Sequence, residues 1–325
     1  MGNLEKRQHN IALVMLSVTA VVWGAGFVFG NSLLDNGFGT IPMSLNALRF
    51  LFGATILLVI FARKIKLTKQ IVAYGALGGA LLAAGFNLQL IGLKFTTPAA
   101  CGFFTAAYGV FTPFLAWIVY KKRPSWMMFV GVGIALSGLV ILNLNTMDLM
   151  QNKDILLGNM LTLAGSLFFA MQIVMSDFCL HKKQLDAGSF SVAQVAFCTV
   201  FLVVAALFEV GKYQTVTIDW GQCWWRLAIV SGLGTAFAYA AQTFAQKRLV
   251  PTETSIILAC ECPIGAILSV ALGCDLLSWQ IVVGGLLVIA SVVIIEVLPT
   301  VLDRRKHKNC QTDDPPTDTM NDEQK

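Results

Sequence analysis

The chain has 325 residues, of which 56% are hydrophobic and only 13% are charged, with a net charge of +5 and a mean hydropathy of +0.72. Because a soluble domain carries roughly a quarter charged residues, this composition excludes an ordinary soluble protein and indicates an integral membrane protein. An apolar span of about 20 residues crosses the hydrocarbon layer, so ten spans with short connections leave little room for a soluble catalytic domain.

Ten apolar segments alternate along the chain with breaks that are polar or contain Pro and Gly. The first five predict helices at 11–33, 43–62, 71–93, 98–120 and 125–143. The second five predict helices at 156–180, 188–209, 223–247, 251–272 and 278–298. We therefore predict an all-α integral membrane protein with ten transmembrane helices.

The two groups of five spans are related copies. The segment 74–142 reappears in degenerate form at 227–295, shifted by 153 positions, so that Gln89 corresponds to Gln242. An odd number of helices in each copy places the second upside down relative to the first. Inverted repeats of this kind are typical of secondary transporters, whose binding site lies near the midplane.

The remaining segments are polar. We predict that residues 1–10 form a cytoplasmic N-terminal segment, while 11–143 and 156–298 form the two five-helix repeats. Residues 303–325 contain Pro315-Pro316 and six acidic residues, which predicts a disordered cytoplasmic tail.

The positive charges predict the orientation. Eighteen of the 23 Lys and Arg residues fall on one side when the N-terminus is placed in the cytoplasm, and cytoplasmic flanks are enriched in these residues. We therefore expect a multi-pass protein of the cell membrane with both termini in the cytoplasm. Topology and anionic lipid account for the net charge, so the bilayer is an expected partner and nucleic acid is not.

Residue types that mark enzymes are sparse in the spans. His9, His181 and His307 lie at predicted cytoplasmic flanks, and neither a phosphate-binding G-x-x-x-x-G-K-[ST] loop nor a G-x-S-x-G elbow occurs. Cys260 and Cys262 point to different faces of a helix, which is poor geometry for holding a metal. We expect no enzymatic activity, no metal and no cofactor.

Charged residues inside spans are costly and mark functional positions. Glu261 lies about ten residues into the ninth helix and Arg49 seven residues into the second. We interpret Glu261 either as a cavity residue or as the partner of Arg49 or a hydroxyl group. Arg49 either binds a substrate carboxylate or has a structural role. Pro113 and Pro263 each leave a carbonyl without its donor, which predicts helix breaks at equivalent depth in both halves.

Further polar and aromatic side chains inside the spans are candidate substrate-binding residues. The alternative for the polar ones is hydrogen bonding between helices, and for the tryptophan it is packing in the core. The candidates are Trp23, Asn87, Gln89, Tyr108, Gln172, Gln194, Tyr239 and Gln242.

Two small-residue patterns predict close helix packing. Gly26-x-x-x-Gly30 and Gly75-x-x-x-Gly79 each place two glycines on one helix face, where neighbouring backbones can approach. Sliding of these faces during transport is the alternative interpretation.

Several short motifs resemble the EamA branch of the drug/metabolite transporter superfamily. They are Trp23-Gly24, Leu48-Arg49-Phe50, the turn from Leu93 to Ala99, and Glu261-Cys262-Pro263. The resemblance covers about residues 10 to 298. It implies a ten-helix inverted-repeat carrier with both termini in the cytoplasm, often exporting amino acids or related metabolites. The chain departs from the family pattern where Tyr120-Lys121-Lys122 replaces the acidic residue that commonly follows Gly at the end of the fourth helix.

These observations predict a secondary transporter of a small organic metabolite that works by alternating access around a midplane cavity. We expect outward transport, with amino acids as the first candidates, because an apolar, aromatic lining with few charges favours neutral or zwitterionic amphipathic solutes. Coupling to the proton gradient through Glu261 is a further hypothesis. The alternatives are an intramembrane enzyme or lipid scramblase, and a receptor or scaffold that transports nothing.

Overall fold

The computed structural model describes residues 3–121, 126–142, 153–212, 216–249, 251–287, 289–291 and 293–294. Its regular structure consists of helices, which confirms the predicted all-α fold of ten helices in two repeats. The predicted tail at 303–325 lies outside the described residues.

The first repeat contains α1 (Asn3–Asp35), α2 (Pro42–Phe61), α3 (Lys69–Phe95), α4a (Pro98–Ala106) and α4b (Tyr108–Tyr120), and α5 (Trp126–Leu142). The second contains α6 (Lys153–Asp177), α7 (Ala187–Val210), α8 (Trp220–Gln246), α9a (Pro251–Ala259) and α9b (Glu261–Ala271), and α10 (Trp279–Ser291). A π-helical turn, Phe178–Lys182, extends α6, and a second π-helical segment, Gly232–Phe237, lies inside α8.

Seven of the helices are long and apolar enough to cross a membrane: α1, α2, α3, α4, α6, α7 and α8. The apolar stretches of α5, α9 and α10 are shorter, at Phe129–Gly138, Ile257–Ala271 and Trp279–Ser291. Large apolar side chains such as Val59 and Phe208 are exposed on the outside of the bundle, where lipid is the solvent. The chain is a multi-pass integral membrane protein.

Successive helices run in opposite directions between two faces of the bundle. At one face, here called the Asp35 face, the amide of Asp219 donates to the carbonyl of Asn36 over 3.1 Å, joining the end of α1 to the start of α8. At the other, the Lys182 face, the amide of Lys66 donates to Oγ of Ser189 over 2.9 Å, joining the end of α2 to the start of α7. Both contacts connect the two repeats.

The two repeats pack through equivalent helix pairs. In the first repeat α3 packs against α6 and α7, and in the second α8 packs against α1 and α2. Likewise α9b packs against α1, and α4 packs against α6. Because each contact has a counterpart across a pseudo-two-fold axis, the structure follows the duplication that was visible in the sequence.

The small-residue pattern of α3 packs as predicted, whereas that of α1 does not. A Cβ atom added to Gly75 would lie 2.6 Å from Cβ of Ala193, and one added to Gly79 would lie 2.5 Å from the amide nitrogen of Cys198. These distances confirm a close approach of α3 to α7. A Cβ atom on Gly26 would meet no atom within 4 Å, and one on Gly30 would lie 3.2 Å from a side-chain atom of Leu93. The prediction that two backbones approach at this pattern is therefore wrong.

The start of the first helix differs from the sequence prediction. Helix α1 begins at Asn3, so most of the predicted N-terminal segment 1–10 is helical. Hydropathy marks where a helix leaves the lipid, and a helix continues beyond that point when no Pro or Gly interrupts it.

The break in the fourth helix is at Ala107, and the prediction that Pro113 would break it is wrong, since Pro113 lies inside the continuous helix α4b. At Ala107 the amide bonds back three residues, to the carbonyl of Phe104 over 3.3 Å, so the regular α-helix is interrupted before Pro113 is reached. The ninth helix breaks at Cys260, three residues before Pro263. Ala107 and Cys260 correspond under the shift of 153, so the breaks lie at equivalent positions.

Candidate functional site

A cavity of about 860 Å³, counting its open mouth, lies between the two repeats. Its lining comes from α1, α2, α3, α4, α6, α8 and α9. Helices of both repeats therefore converge on one central cavity, which is the expected place for a solute site in an inverted-repeat protein.

The cavity extends toward the Asp35 face. Its lining includes Gly30 near the end of α1, Leu93 near the end of α3 and Ile229 near the start of α8. Toward the Lys182 face an apolar cluster that includes Leu16 and Leu249 fills the space between α1 and α8. Among the described residues, the lining therefore reaches further toward the Asp35 face than toward the Lys182 face.

Four aromatic rings surround the centre of the cavity: Trp23, Phe86, Phe169 and Tyr239. We call them the aromatic quartet. The ring centroids of Trp23 and Tyr239 are 5.7 Å apart, and those of Phe86 and Phe169 are 5.0 Å apart, with 6.3 Å between Phe86 and Tyr239. Such spacings are typical of favourable aromatic contacts.

The quartet obeys the pseudo-symmetry of the repeats. Phe86 corresponds to Tyr239 under the shift of 153. Because Phe86 packs on Phe169 of α6 as Tyr239 packs on Trp23 of α1, Trp23 corresponds to Phe169. Phe86 and Phe169 were not among the residues predicted from the sequence. Subtracting 153 from Tyr239 would have identified Phe86, whereas Phe169 needed the structure.

Arg49 lines the cavity and is anchored to α8. Its Nε donates to Oγ1 of Thr235 over 3.0 Å, and its Nη2 donates to the carbonyl oxygen of Gly234 over 3.2 Å. The guanidinium also lies 4.8 Å from the centroid of the Phe86 ring, a cation–π distance. Arg49 is therefore held structurally while one side remains at the cavity.

The π-helical segment of α8 provides this anchor. In it Oγ1 of Thr235 donates to the carbonyl of Val230, five residues earlier, over 3.1 Å. The wider turn displaces the backbone so that the Gly234 carbonyl accepts bonds from other helices, and π segments of this kind occur frequently at functional sites.

Glu261 lines the cavity from the break in α9. It is only 3% exposed and is the first residue of α9b, where the positive end of the helix dipole favours a carboxylate. The hydroxyl of Tyr108, its repeat counterpart, is a hydrogen-bonding neighbour. Among the described residues no salt bridge joins Glu261 to Arg49, so the Arg49 half of the predicted structural alternative is wrong. The contact with Tyr108 matches its other half, a pairing with a hydroxyl group.

Three buried glutamines form a hydrogen-bonded chain at the inner end of the cavity. Nε2 of Gln242 donates to Oε1 of Gln172 over 3.3 Å, and Nε2 of Gln172 donates to Oε1 of Gln194 over 3.1 Å. Nε2 of Gln194 in turn contacts Oγ1 of Thr243 over 3.4 Å. We call Gln172, Gln194 and Gln242 the glutamine chain. It links α6, α7 and α8.

Most of the polar and aromatic residues predicted from the sequence meet in this one cavity. Those that line it are Trp23, Arg49, Gln89, Tyr108, Gln172, Tyr239, Gln242 and Glu261. Two do not: Oδ1 of Asn87 accepts a bond from Nδ2 of Asn46 over 3.1 Å, and Gln194 lies behind Gln172 in the glutamine chain. For these two, the alternative of hydrogen bonding between helices describes what the structure shows.

The arrangement offers a solute three kinds of contact. Arg49 supplies a cationic group, Glu261 supplies a carboxyl group, and the aromatic quartet supplies apolar faces between several helices. The binding roles of these residues stay predictions, since the geometry shows only that they share one cavity.

Comparisons with known proteins point to transport. The model of the EamA-like transporter family matches residues 10–144 and again residues 156–297. An uncharacterized transporter of Archaeoglobus fulgidus is 25% identical over 299 residues, covering 90% of this chain and 88% of its own. YyaM of Bacillus subtilis, also named an uncharacterized transporter, is 25% identical over 259 residues, covering 77% of this chain and 83% of its own.

A solved structure shares the fold. Titled only as a crystal structure of a protein, it aligns with a TM-score of 0.64 at 16% identity, covering 91% of this chain and 98% of its own. At this identity the likeness shows the architecture alone.

Proposed function

Because the chain belongs to the EamA-like transporter family, and is therefore a membrane transporter, we propose that it is a secondary exporter of small zwitterionic amphipathic metabolites, with amino acids as the first candidates. It acts in the cell membrane by alternating access, with both termini in the cytoplasm and with residues 11–143 and 156–298 as its two moving repeats.

The observation that carries this proposal is a central cavity whose lining extends unequally toward the two faces of the bundle. Its lining reaches further toward the Asp35 face than toward the Lys182 face, where an apolar cluster packs, and it lies between two inverted repeats. Inverted repeats can exchange their conformations, which opens the same site to the other side.

The chemistry of the lining supports a zwitterion. Arg49 faces the cavity beside Phe86, and Glu261 faces it from the break in α9. A carboxylate on the solute would bind at Arg49, an ammonium group would bind at Glu261, and an apolar side chain would pack in the aromatic quartet. Phosphates and sugar nucleotides carry more negative charge than one guanidinium balances.

Glu261 also supports proton coupling. A charge at this depth is costly, so the carboxyl group is charged when a cationic group or water faces it and takes up a proton when neither does. Exchange of that proton for the ammonium group of the solute would link export to the proton gradient.

The test is flux through purified protein in lipid vesicles with an imposed proton gradient, for a panel of amino acids, amphipathic cations and fluorescent lipids. We expect movement of at least one amino acid, loss of its pH dependence in Glu261→Gln, and no change in Asp154→Asn, whose carboxylate is exposed at the start of α6. Movement of lipid alone would identify a scramblase. No flux of any solute through folded protein would favour a receptor or scaffold.

A further inference from the structure

We propose that Ser176, Thr243 and Gln246 line a second access pathway, closed in this structure, between the cavity and the Lys182 face. The proposal rests on transport by alternating access and assigns residues to the half of the cycle that the structure does not display. The lining of this second pathway consists of hydroxyl and amide groups, so it is polar and uncharged and suits a hydrated solute.

The first step is the correspondence between α3 and α8. Under the shift of 153 positions, Leu90 of α3 corresponds to Thr243 of α8, and Leu93 corresponds to Gln246. Leu90 and Leu93 line the cavity where it extends toward the Asp35 face. Their counterparts therefore occupy the equivalent place on the way to the Lys182 face.

The second step is the correspondence between α1 and α6. The pairing of Trp23 with Phe169 in the aromatic quartet gives a shift of 146 positions, which relates Gly30 of the cavity mouth to Ser176. The two shifts agree with each other. Phe27 and Leu93 share one apolar cluster, and their counterparts also meet, because Nε2 of Gln246 donates to the carbonyl of Ile173 over 3.3 Å.

The third step is burial. Ser176, Thr243 and Gln246 are at most 1% exposed and do not line the cavity. Among the described residues, Oε1 of Gln246 and Oε1 of Gln242 have no hydrogen-bond partner. A buried acceptor without a donor is costly, and a permanent seal between apolar helices has no need of one. Water entering from the Lys182 face would satisfy both atoms.

Opening of the second pathway would break the glutamine chain. Gln242 binds Gln172 of α6, and Gln194 of α7 binds Thr243, so the end of α8 is held to two neighbouring helices. On the Asp35 side the positions equivalent to Thr243 and Gln246 are Leu90 and Leu93, which line the cavity. Exchange of the two conformations would release α8 from α6 and α7 and bring α3 against its own neighbours.

Cysteine accessibility tests the proposal. Thr243→Cys, Gln246→Cys and Leu93→Cys are placed singly in a cysteine-free chain, reconstituted in lipid vesicles, and treated for hours with the impermeant reagent trimethylammonium-ethyl methanethiosulfonate from one face at a time. The matched control is Thr19→Cys, a fully buried threonine of α1 whose hydroxyl bonds to the carbonyl of Met15 and whose equivalent position, Gly165, does not line the cavity.

We expect Gln246→Cys and Thr243→Cys to be labelled only from the Lys182 face, at a rate at least tenfold above Thr19→Cys, and Leu93→Cys only from the Asp35 face. Labelling of Thr243→Cys and Gln246→Cys no faster than the control would overturn the inference. If such protein still moves solutes, the proposed function stands and the second pathway lies elsewhere. If the labelling appears but no solute moves, the pathway stands and the proposed function fails.

A second measurement is used if the cysteine-free chain misfolds. The same substitutions are then made in the native sequence, and mass spectrometry of peptides assigns the labelled cysteine. Cys198 and Cys262 are buried in the native protein and serve as internal references for unreactive sites. Labelling of Gln246→Cys at their rate would again contradict the proposal.

Discussion

Trp23 and Arg49 donate to the same backbone oxygen. The indole Nε1 lies 2.8 Å from the carbonyl oxygen of Gly234, and Nη2 of Arg49 lies 3.2 Å from it. The donors come from α1 and α2, and the acceptor lies in the π-helical segment of α8. One carbonyl thus fastens three helices, from both repeats, beside the aromatic quartet.

This relationship predicts that Arg49 cannot be replaced by lysine. Arg49→Lys keeps the charge but loses the planar fork that reaches Thr235 and Gly234 together while stacking on Phe86. We expect a loss of about 1.5–3 kcal/mol in the free energy of unfolding and a loss of flux of roughly tenfold or more. Thermal unfolding and vesicle flux measure the two effects.

The matched control for that substitution is Arg226→Lys. Arg226 lies 4.4 Å from the centroid of the Trp225 ring and does not line the cavity, so flux should persist. Equal behaviour of the two variants would show that the anchor on α8 has no part in transport.

Two neighbouring glycines of α1 predict opposite outcomes. A Cβ atom on Gly24 would lie 2.7 Å from the carbonyl oxygen of Glu261, so Gly24→Ala should separate α1 from α9 and destabilise the protein by about 1–3 kcal/mol. Gly26 faces open space in the cavity, so Gly26→Ala should fold normally and Gly26→Leu should fold yet obstruct flux. Unfolding curves and flux of the three variants provide the comparison. A poorly folded Gly26→Ala would disprove the assignment.

The hydrogen bonds of Glu209 form a structural clamp between α7 and α2 at the Asp35 face. The Glu209 carboxylate, at the end of α7, accepts bonds from the amide of Met43 over 3.1 Å and from the amide and hydroxyl of Ser44 over 2.8 and 2.9 Å. Glu209→Ala should leave these donors at the start of α2 without an acceptor and cost about 1–3 kcal/mol. Ser44→Ala removes one bond of the three and should cost less. If chemical denaturation ranks the two variants the other way, the clamp is not as described.

The hydrogen bond at Asp186 predicts that the stability of the folded protein depends on pH. The Asp186 carboxylate caps α7 by accepting the amide of Ser189 over 2.9 Å, and this bond is the main cause that lowers the pKa of Asp186 below its ordinary value. A lowered folded-state pKa means that the stabilisation is fully present above the unfolded pKa of about 3.9 and disappears as the pH falls through the folded value.

The measurement is the melting temperature of the native protein and of Asp186→Ala between pH 7 and pH 2. We expect a difference equivalent to about 1 kcal/mol at pH 7, which shrinks only below about pH 4. A difference that is constant across this range would show that the cap does not depend on the charge.

The sequence predicted the order of the helices and the regions where they break, because hydropathy and repeat spacing are local properties of the chain. It misplaced the break in the fourth helix, since a proline marks a missing donor, whereas the regular helix is interrupted at Ala107. It also placed the start of α1 at residue 11, where the apolar stretch begins, although the helix itself begins at Asn3.

The residues that form the site could be predicted better than the contacts between them. Eight of the ten candidate side chains line the cavity, since polar groups inside spans have few other places to go. The anchor of Arg49 was not predictable, because it depends on a π-helical turn in another helix that no residue pattern marks. The aromatic quartet was half predicted, because phenylalanine is common in any span and carries no polar atom to single it out.

The quartet has unlike members in each pseudo-symmetric pair. Trp23 carries an N–H group where Phe169 has none, and Tyr239 carries a hydroxyl where Phe86 has none. The scaffold is nearly two-fold symmetric, yet the two walls of the chamber that it encloses differ in polarity. A solute with one polar and one apolar side would therefore bind there in a single preferred orientation.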